Sequence, residues 1–201
     1  MVRVIAGKAK GTRLVGLKKV DLRPTLDRVK ESLFNQIGQR LDGEVFLDLF
    51  AGTGNIGIEA LSRGAEKVVF VENDCRAWDL ICRNLEKCHF GLEKDPAGEK
   101  NWVLLKCDAL RAVPLLRKRG YLFDLVYVDP PFAEGLYEPC LTALAASDLL
   151  TGTSRVVVEH HHKNILRKNY DTLVLASQRR LGDTCLSIYR YRVSEGCPPL
   201  P

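Results

Sequence analysis

A short apolar run leads into a glycine-rich turn and then a helical pattern in the stretch Val45-Phe-Leu-Asp-Leu-Phe-Ala-Gly-Thr-Gly-Asn-Ile-Gly57. Gly52, Gly54 and Gly57 have the spacing G-x-G-x-x-G. Where a strand precedes this motif and a helix follows it, the glycines let the backbone approach a ligand closely, and free N–H groups at the helix N-terminus face that ligand. The stretch therefore predicts the first strand-turn-helix unit of a nucleotide-binding α/β fold.

The chain after Glu44 continues the same alternation of β-rich and helical segments. Predicted strands cover 45–50, 67–72, 102–106, 123–129 and 155–159, and predicted helices cover 56–63, 75–88, 109–118 and 136–149. Two more strands over 172–176 and 185–190 would add a terminal hairpin. This alternation is typical of a mostly parallel sheet with helices on both faces.

The first 43 residues differ from the rest in pattern and in charge. Apolar runs at 2–6 and 12–16 enclose Gly7-Lys-Ala-Lys-Gly11, which predicts a basic β-hairpin, and an amphipathic helix is predicted after Pro24. Residues 1–30 have a net charge of +7, whereas the remainder has a net charge of −2. We expect this segment to face a polyanion, although a solvated, charged edge explains the charge equally well.

Composition limits the possible organisation. With 201 residues, of which 46% are hydrophobic, the chain predicts one main domain over 44–195, an N-terminal extension over 1–43 and a disordered tail over 196–201. We expect the protein in the cytoplasm, because no apolar run is long enough to span a membrane and no signal peptide is evident. The single-domain form predicts a monomer. The seven cysteines include no C-x-x-C pair and predict neither disulfides nor a zinc site.

Acidic residues after the predicted strands indicate which cofactor is bound. Glu72 ends the second strand, where a carboxylate binds ribose hydroxyls, and this fits either a nicotinamide or flavin dinucleotide or S-adenosylmethionine. Asp48 would repel a pyrophosphate but could face the ammonium of a methionine moiety, which favours S-adenosylmethionine. Asp108 follows the third strand, where it could reach an adenine amino group or cap a helix.

The tetrapeptide Asp129-Pro-Pro-Phe132 follows the fourth strand and carries the predicted chemistry. The exocyclic amine of a base is a poor nucleophile, because its lone pair is delocalised into the ring. If Asp129 and the Pro130 carbonyl each accept one N–H, the lone pair can point at a sulfonium methyl group. Pro131 makes the turn rigid, and Phe132 could stack on a base that has left its helix. The pattern therefore predicts a methyltransferase that acts on nucleic-acid bases.

The sequence resembles the RsmD-like family of bacterial ribosomal RNA guanine-N2 methyltransferases along almost its whole length. The resemblance lies in the segments Val2-Arg-Val-Ile-Ala-Gly7, Lys10-Gly-Thr-Arg-Leu14, Leu22-Arg-Pro-Thr-Leu-Asp-Arg-Val-Lys-Glu31, Asp48-Leu-Phe-Ala-Gly-Thr-Gly54, Glu59-Ala-Leu-Ser-Arg63, Asp129-Pro-Pro-Phe132 and Gly182-Asp-Thr-Cys-Leu-Ser-Ile-Tyr189. Departures are small: Ala6 replaces the first of two glycines, Asn55 occupies a position that is often alanine, and residues 93–100 are slightly extended.

The resemblance implies a Rossmann-like class I methyltransferase with a seven-stranded sheet, and N2-methylguanosine in small-subunit ribosomal RNA as the product. The predicted cofactor is S-adenosylmethionine, and the residues expected to bind it are Asp48, Gly52, Gly54, Asn55, Gly57, Glu72, Asn73 and Asp108. The predicted catalytic residues are Asp129, Pro130, Pro131 and Phe132. The residues expected to meet RNA, alone or in an assembling small subunit, are Arg3, Lys8, Lys10, Arg13, Arg23, Thr25 and Arg28.

Other functions remain open on the sequence alone. Adenine-N6 and cytosine-N4 methyltransferases use the same type of tetrapeptide, although no segment is long enough for a separate target-recognition domain. An NAD(P)-dependent oxidoreductase and a non-catalytic RNA-binding assembly factor are the alternatives from other classes. The run His160-His-His162 is not expected to bind a metal ion, because adjacent strand residues point to opposite sides.

Overall fold

A computed structural model describes residues 2–16, 25–90, 100–131 and 135–192 of the protein. Within these ranges, helices and strands alternate as predicted. The helices are α1 (Thr25–Ile37), α2 (Asn55–Ser62), α3 (Cys75–Lys87), α4 (Ala109–Lys118) and α5 (Tyr137–Ala145). The strands are β1 (Val45–Asp48), β2 (Lys67–Glu72), β3 (Trp102–Lys106), β4 (Phe123–Val128), β5 (Leu150–His161), β6 (Asn169–Tyr170), β7 (Leu173–Leu181) and β8 (Thr184–Tyr191).

The strands form one sheet in the order β3-β2-β1-β4-β5-β8-β7-β6. Strands β1 to β5 pair in parallel, whereas β8 pairs antiparallel with both β5 and β7. This topology confirms the predicted α/β class and the terminal hairpin. The strand order reverses between β1 and β4, so a crevice opens at their carboxyl ends, where ligands bind in folds of this kind.

The sheet has eight strands in the described part of the chain, which corrects the predicted number of seven. The additional strand is β6, which has two residues and pairs antiparallel with the start of β7. Asp171 makes the tight turn between them with φ 50. A strand of two residues is too short to show an alternating pattern, so sequence periodicity could not reveal it.

Alternate residues of each central strand face two separate cores. Phe46, Phe70, Tyr127 and Val157 point to the face that is covered by the N-terminal segment, α1, α2 and α3. Their neighbours point to the opposite face, where α4 and α5 pack. Because β1, β2, β4 and the second half of β5 are buried on both faces, they have the continuous apolar runs that the sequence shows.

The N-terminal segment shares the first of these cores. Val4, Leu14 and Leu33 are buried in the same cluster as the sheet residues. The predicted hairpin is present only as an isolated antiparallel bridge between Arg3 and Arg13, with a few flanking backbone hydrogen bonds. At its turn, Gly7 (φ 78) approaches α2 so closely that a Cβ atom would lie 1.7 Å from the Ser62 carbonyl oxygen.

Among the described helices, none combines the length and the apolar character that a membrane crossing requires.

Candidate active site

Four carboxylates lie at the carboxyl ends of four parallel strands and on the same face of the sheet. Asp48 ends β1 and Glu72 ends β2. Asp129 directly follows β4, and Glu159 lies near the end of β5. Each is two residues after a side chain of the first core, and side chains two apart along a strand share a face. The sheet therefore places four acidic groups along one edge.

The glycine-rich turn connects this edge to α2. Gly52 and Gly54 both have positive φ, at 53 and 78. A Cβ atom on Gly52 would meet nothing within 4 Å, so the turn presents open backbone at this point. The Gly52 N–H donates to Oε2 of Glu72 at 2.7 Å, and Oε1 of Glu72 accepts from Asn73 and Asp74 at 2.8 Å each. These bonds fix the Glu72 carboxylate beside the turn.

The third glycine has a packing role. A Cβ atom on Gly57 would lie 2.2 Å from Cε1 of Phe70, so glycine allows α2 to approach β2. Gly57 was predicted among the cofactor-binding residues, and its N–H donates to Oδ2 of Asp48 at 2.9 Å. Asn55, at the start of α2, accepts a hydrogen bond from Lys30 at 2.9 Å. Gly57 and Asn55 therefore both bind other residues of the protein and hold Asp48 and Lys30 in place.

Asp48 is buried at the bottom of the turn. Burial raises the pKa of its carboxyl group to about 7; the Gly57 N–H opposes this shift, and the charge of Glu72 adds to it. In the absence of a ligand, its proton occupancy thus changes near neutral pH. A cationic group nearby would favour the ionised form.

Asp108 has one of its two predicted roles, the capping of a helix, and its contact with an adenine stays a prediction. Oδ1 accepts from the backbone of Leu110 at 2.9 Å and Arg111 at 3.3 Å, so the side chain caps α4. Asp108 also lines the large cavity at this edge of the sheet, as Glu72 does. The cap holds the carboxylate in position at the cavity wall.

Asp129, Pro130 and Pro131 form another part of the cavity wall. Asp129 is exposed at the cavity surface. Desolvation by the surrounding cavity wall raises the pKa of Asp129 above its usual value, and the charges of Glu159 and Asp48 raise it further. Phe132, which was predicted to stack on the base, lies outside the described residues.

Two adjoining cavities meet at these carboxylates. The larger has a volume of about 1080 Å³ and extends from Glu72 and Asp108 to Asp129 and the end of β5. The smaller, of about 350 Å³, lies under the N-terminal segment and includes Asp48. Both are lined by Phe50, Gly52, Asp129 and Glu159. Among the described residues, no lysine or arginine lines the larger cavity, so its charge is suited to a cationic ligand.

Several cavity residues were not singled out in the sequence. The largest omission is Glu159, whose carboxylate accepts a hydrogen bond from the Tyr127 hydroxyl. A signal was available: the segment Val156-Val-Val-Glu159 ends in an acid after an apolar run, as β1, β2 and β4 do. Tyr137 and Leu136, which also line the larger cavity, carry no such signal, because they lie at the start of α5 and not at the end of a strand.

The basic residues that were predicted to meet RNA lie on the surface in the part of the chain that is described. The exposed ones are Arg3, Lys8, Lys10, Arg13 and Arg28. Arg3 forms an ion pair with Asp27 at 3.4 Å. Arg23 lies outside the described residues, and Thr25 begins α1 without a described side chain.

The histidine run divides into two environments. His160 is buried and forms a hydrogen bond with Ser187 at 2.8 Å. His161, His162 and Asp183 offer ligand atoms within 4.8 Å of one another. Strand alternation does not separate this pair of histidines, because β5 ends at His161 and His162 lies in the following turn. The absence of a metal site remains a prediction.

The sheet order, the glycine-rich turn after β1 and the acid that ends β2 define this protein as a class I methyltransferase. The structure is similar to that of yhhF from Escherichia coli, with a TM-score of 0.80 and 26% sequence identity over 96% of this chain and 99% of that chain. The family model described as conserved hypothetical protein 95 matches residues 2–190. The chain belongs to this family, which confirms the predicted relationship to the RsmD family.

Relatives in other bacteria match along most of their length. YlbH of Bacillus subtilis is 36% identical over 191 residues, which cover 95% of this chain and all of YlbH. Ribosomal RNA small subunit methyltransferase D of Haemophilus influenzae is 35% identical over 160 residues, which cover 79% of this chain and 78% of that protein.

Proposed function

We propose that this protein transfers a methyl group from S-adenosylmethionine to the exocyclic N2 amine of a guanine in small-subunit ribosomal RNA. The observation that carries the proposal is the Asp129-Pro-Pro131 wall of a cavity that begins at the glycine-rich turn and Glu72. The residues proposed to bind the cofactor and those proposed to bind the amine therefore line the same cavity. The names of the relatives support RNA as substrate: the Haemophilus influenzae protein is named for small-subunit ribosomal RNA, and YlbH has a provisional assignment as a ribosomal RNA methyltransferase.

The charge around the cavities supports S-adenosylmethionine over a dinucleotide. Asp48, Glu72, Asp108, Asp129 and Glu159 line one or both cavities. A pyrophosphate would be repelled by such a set, whereas a sulfonium and an ammonium would be attracted. Within this set, we assign Glu72 to the ribose hydroxyls, Asp108 to the adenine and Asp48 to the ammonium group, whose positive charge would favour the ionised form of Asp48.

S-adenosylmethionine supplies an electrophilic methyl group, and transfer breaks the sulfur–carbon bond, forms a nitrogen–carbon bond and releases one proton from the amine. Asp129 and the Pro130 carbonyl accept the two amine hydrogens and direct the nitrogen lone pair at the methyl group. Because the pKa of Asp129 is raised, its ionised carboxylate is a stronger base than that of an ordinary aspartate, and a smaller fraction of it is ionised at neutral pH. The donors of the bound base favour the ionised form. Asp129 therefore takes the proton and later releases it to solvent.

The basic N-terminal segment supports a polyanionic substrate. Its exposed basic side chains lie on the segment that covers the smaller cavity, since Val2 and Gly16 line that cavity. RNA that binds this surface would have its backbone close to the carboxylates of the site. Phosphate contacts of this kind position a substrate without reading its sequence. We therefore propose that the protein acts in the cytoplasm, where ribosomal RNA is made in bacteria.

Methyl transfer to different nucleic acids tests the substrate class. The protein is incubated with methyl-labelled S-adenosylmethionine and, in separate reactions, small ribosomal subunits from cells that lack the enzyme, naked small-subunit RNA, transfer RNA and duplex DNA. Label is expected in small-subunit RNA, presented as particle or as naked RNA. Label confined to DNA or transfer RNA would overturn the proposed substrate.

A further inference from the structure

Asp129 and Glu159 occupy neighbouring positions at the same edge of the sheet. Tyr127 pairs with Val157 and Val128 pairs with Val158 in the parallel register of β4 and β5. The next two positions in this register are Asp129 and Glu159, and adjacent strands lie about 4.8 Å apart. Both residues line both cavities. When the exocyclic amine of a base reaches Asp129, the ring nitrogen next to that amine can therefore lie close to Glu159.

The structure holds Glu159 as a hydrogen-bond acceptor. The Tyr127 hydroxyl donates to Oε2, and Tyr127 is itself buried in the first of the two cores. Burial raises the pKa of the Glu159 carboxyl group, and the hydrogen bond from Tyr127 opposes this shift because it stabilises the ionised form. A further N–H donor from a bound base would favour the ionised form in the same way. In the part of the chain that is described, Glu159 forms no ion pair with a lysine or arginine. An ionised carboxylate can only accept hydrogen bonds, so its neighbour in a complex must be a donor.

Only one of the bases with an exocyclic amine offers a donor at that place. In guanine, the ring atom N1 beside the N2 amine carries a hydrogen. In adenine and in cytosine, the ring nitrogens beside the amine have lone pairs and accept hydrogen bonds. A flipped base is recognised by such contacts along its Watson–Crick edge. A lone pair that faces a carboxylate is repelled, and the buried acceptor is left without a partner.

We infer that Glu159 is the residue that selects guanine, because it accepts the N1–H of the base whose N2 amine is held by Asp129. This inference rests on the proposed function and identifies the base-selecting contact of the same site. Asp129 and the Pro130 carbonyl bind the two hydrogens of the amine, and Glu159 binds the ring hydrogen next to it. Tyr127 acts through Glu159 and is a positioning residue.

The test compares guanine with 2-aminopurine at the methylated position. 2-Aminopurine retains the N2 amine, but its N1 is an acceptor. After the modified nucleotide has been mapped, ribosomal RNA with either base at that position is prepared by ligation and assembled into small subunits. For the wild-type protein, kcat/KM is expected to fall at least about 100-fold with 2-aminopurine, as in sites that lose a specific hydrogen bond to the substrate.

Glu159→Gln is the decisive variant, because its amide can donate to N1 of 2-aminopurine. It is expected to lower kcat/KM for guanine about 10- to 100-fold, as expected for loss of a charged hydrogen bond. It is also expected to reduce the preference for guanine over 2-aminopurine to less than about tenfold. Loss of the O6 atom affects both enzymes alike and cancels in this comparison. Glu66→Gln, at an exposed glutamate outside the cavities, is the matched control.

The outcomes separate the inference from the function on which it rests. If the wild-type protein places no methyl group on guanine N2, the proposed function fails. If it methylates guanine but Glu159→Gln keeps the wild-type preference over 2-aminopurine, the inference alone is overturned. The S-adenosylmethionine affinity and the Tm of the variant are measured in parallel. A second variant, Tyr127→Phe, keeps the Glu159 carboxylate but removes the hydroxyl that positions it. Like Glu159→Gln, it is expected to lower the preference for guanine over 2-aminopurine.

Discussion

The ammonium nitrogen of Lys30 lies 3.0 Å from Oε2 of Glu59, and both side chains are buried. The Arg63 Nε lies 2.9 Å from the other carboxylate oxygen, which also accepts the backbone N–H of Ala6. Lys30 in turn donates to Arg3 O and to the first residue of α2. One buried carboxylate therefore ties the N-terminal segment, α1 and the helix after the glycine-rich turn together.

Removal of this carboxylate is expected to destabilise the whole protein. Glu59→Gln leaves Lys30 and Arg63 buried without a counter-charge, and breaking a buried ion pair in this way costs about 3–5 kcal/mol. Urea unfolding at equilibrium measures the change in the free energy of unfolding. Glu66→Gln, at an exposed site, should change it by less than about 0.5 kcal/mol. If Glu59→Gln lowers the free energy of unfolding by less than about 1 kcal/mol, the ion pairs of Glu59 do not hold the N-terminal segment in place.

Loss of the Asp129 carboxylate is expected to stop the reaction without weakening cofactor binding. Asp129→Asn removes the proton acceptor and should lower kcat by about 10²- to 10⁴-fold. S-adenosylmethionine affinity, measured by calorimetry, should stay within about threefold of wild type. Asp148→Asn, at an exposed aspartate paired with Arg117, should leave both quantities unchanged. Near-normal turnover of Asp129→Asn would remove Asp129 from the chemistry.

The pKa of Asp48 predicts how cofactor affinity depends on pH. In the free protein this pKa is about 7, far above the usual value of 3.8. A cationic ligand binds the ionised form, so below pH 7 binding must release a proton and affinity should fall by up to tenfold per pH unit. Affinity should level off above pH 7. Asp48→Asn should bind more weakly and show a flat profile.

Calorimetric titrations from pH 5.5 to 7.5, in two buffers with different ionisation enthalpies, measure both the affinity and the number of protons released. Wild-type affinity that does not vary between pH 5.5 and 7 would contradict the proposed contact of Asp48 with the ammonium group.

The contact between Gly57 and Phe70 predicts a compensating pair of substitutions. Gly57→Ala inserts a methyl group where Cε1 of Phe70 lies only 2.2 Å away, and such overpacking typically costs about 1–3 kcal/mol. Phe70→Leu makes room for it. The double variant should therefore lose less stability than the two single variants added together, as measured in a thermal or urea unfolding cycle. Additive losses would mean that the two sites do not compete for space.

Salt dependence tests the RNA surface. Lys10→Gln with Arg13→Gln removes two exposed charges from the N-terminal segment and should reduce the slope of log Kd against log salt by up to about 2. Lys118→Gln with Arg119→Gln removes two exposed charges at the end of α4, on the opposite face of the sheet, and should leave the slope unchanged. If both pairs of substitutions reduce the slope equally, RNA does not bind to one defined face of the protein.

Much of the fold could be predicted from the sequence, because β1, β2, β4 and the second half of β5 are buried on both faces and show apolar runs. The acids Asp48, Glu72 and Asp129 could be placed at one edge for the same reason, since each ends such a run. Glu159 follows the same rule and was missed, because no motif drew attention to the fifth strand.

Other features depend on tertiary contacts that leave no local pattern. β6 has two residues and exists only because Asp171 turns it back onto β7. Gly57 matches a ligand-binding motif, yet the contact that requires glycine is with Phe70, 13 residues further along the chain. The Lys30–Glu59–Arg63 cluster joins charges from two helices, and charge alone would have placed each of them on the surface.

The identity of the methylated atom tests the central claim most directly. Small subunits or naked RNA that have been labelled by the wild-type protein are digested to nucleosides and analysed by mass spectrometry. The label is expected in N2-methylguanosine and should be absent after incubation with Asp129→Asn. Label in N6-methyladenosine or N4-methylcytidine would contradict both the guanine assignment and the role of Glu159, although it would leave methyl transfer to an exocyclic amine in place.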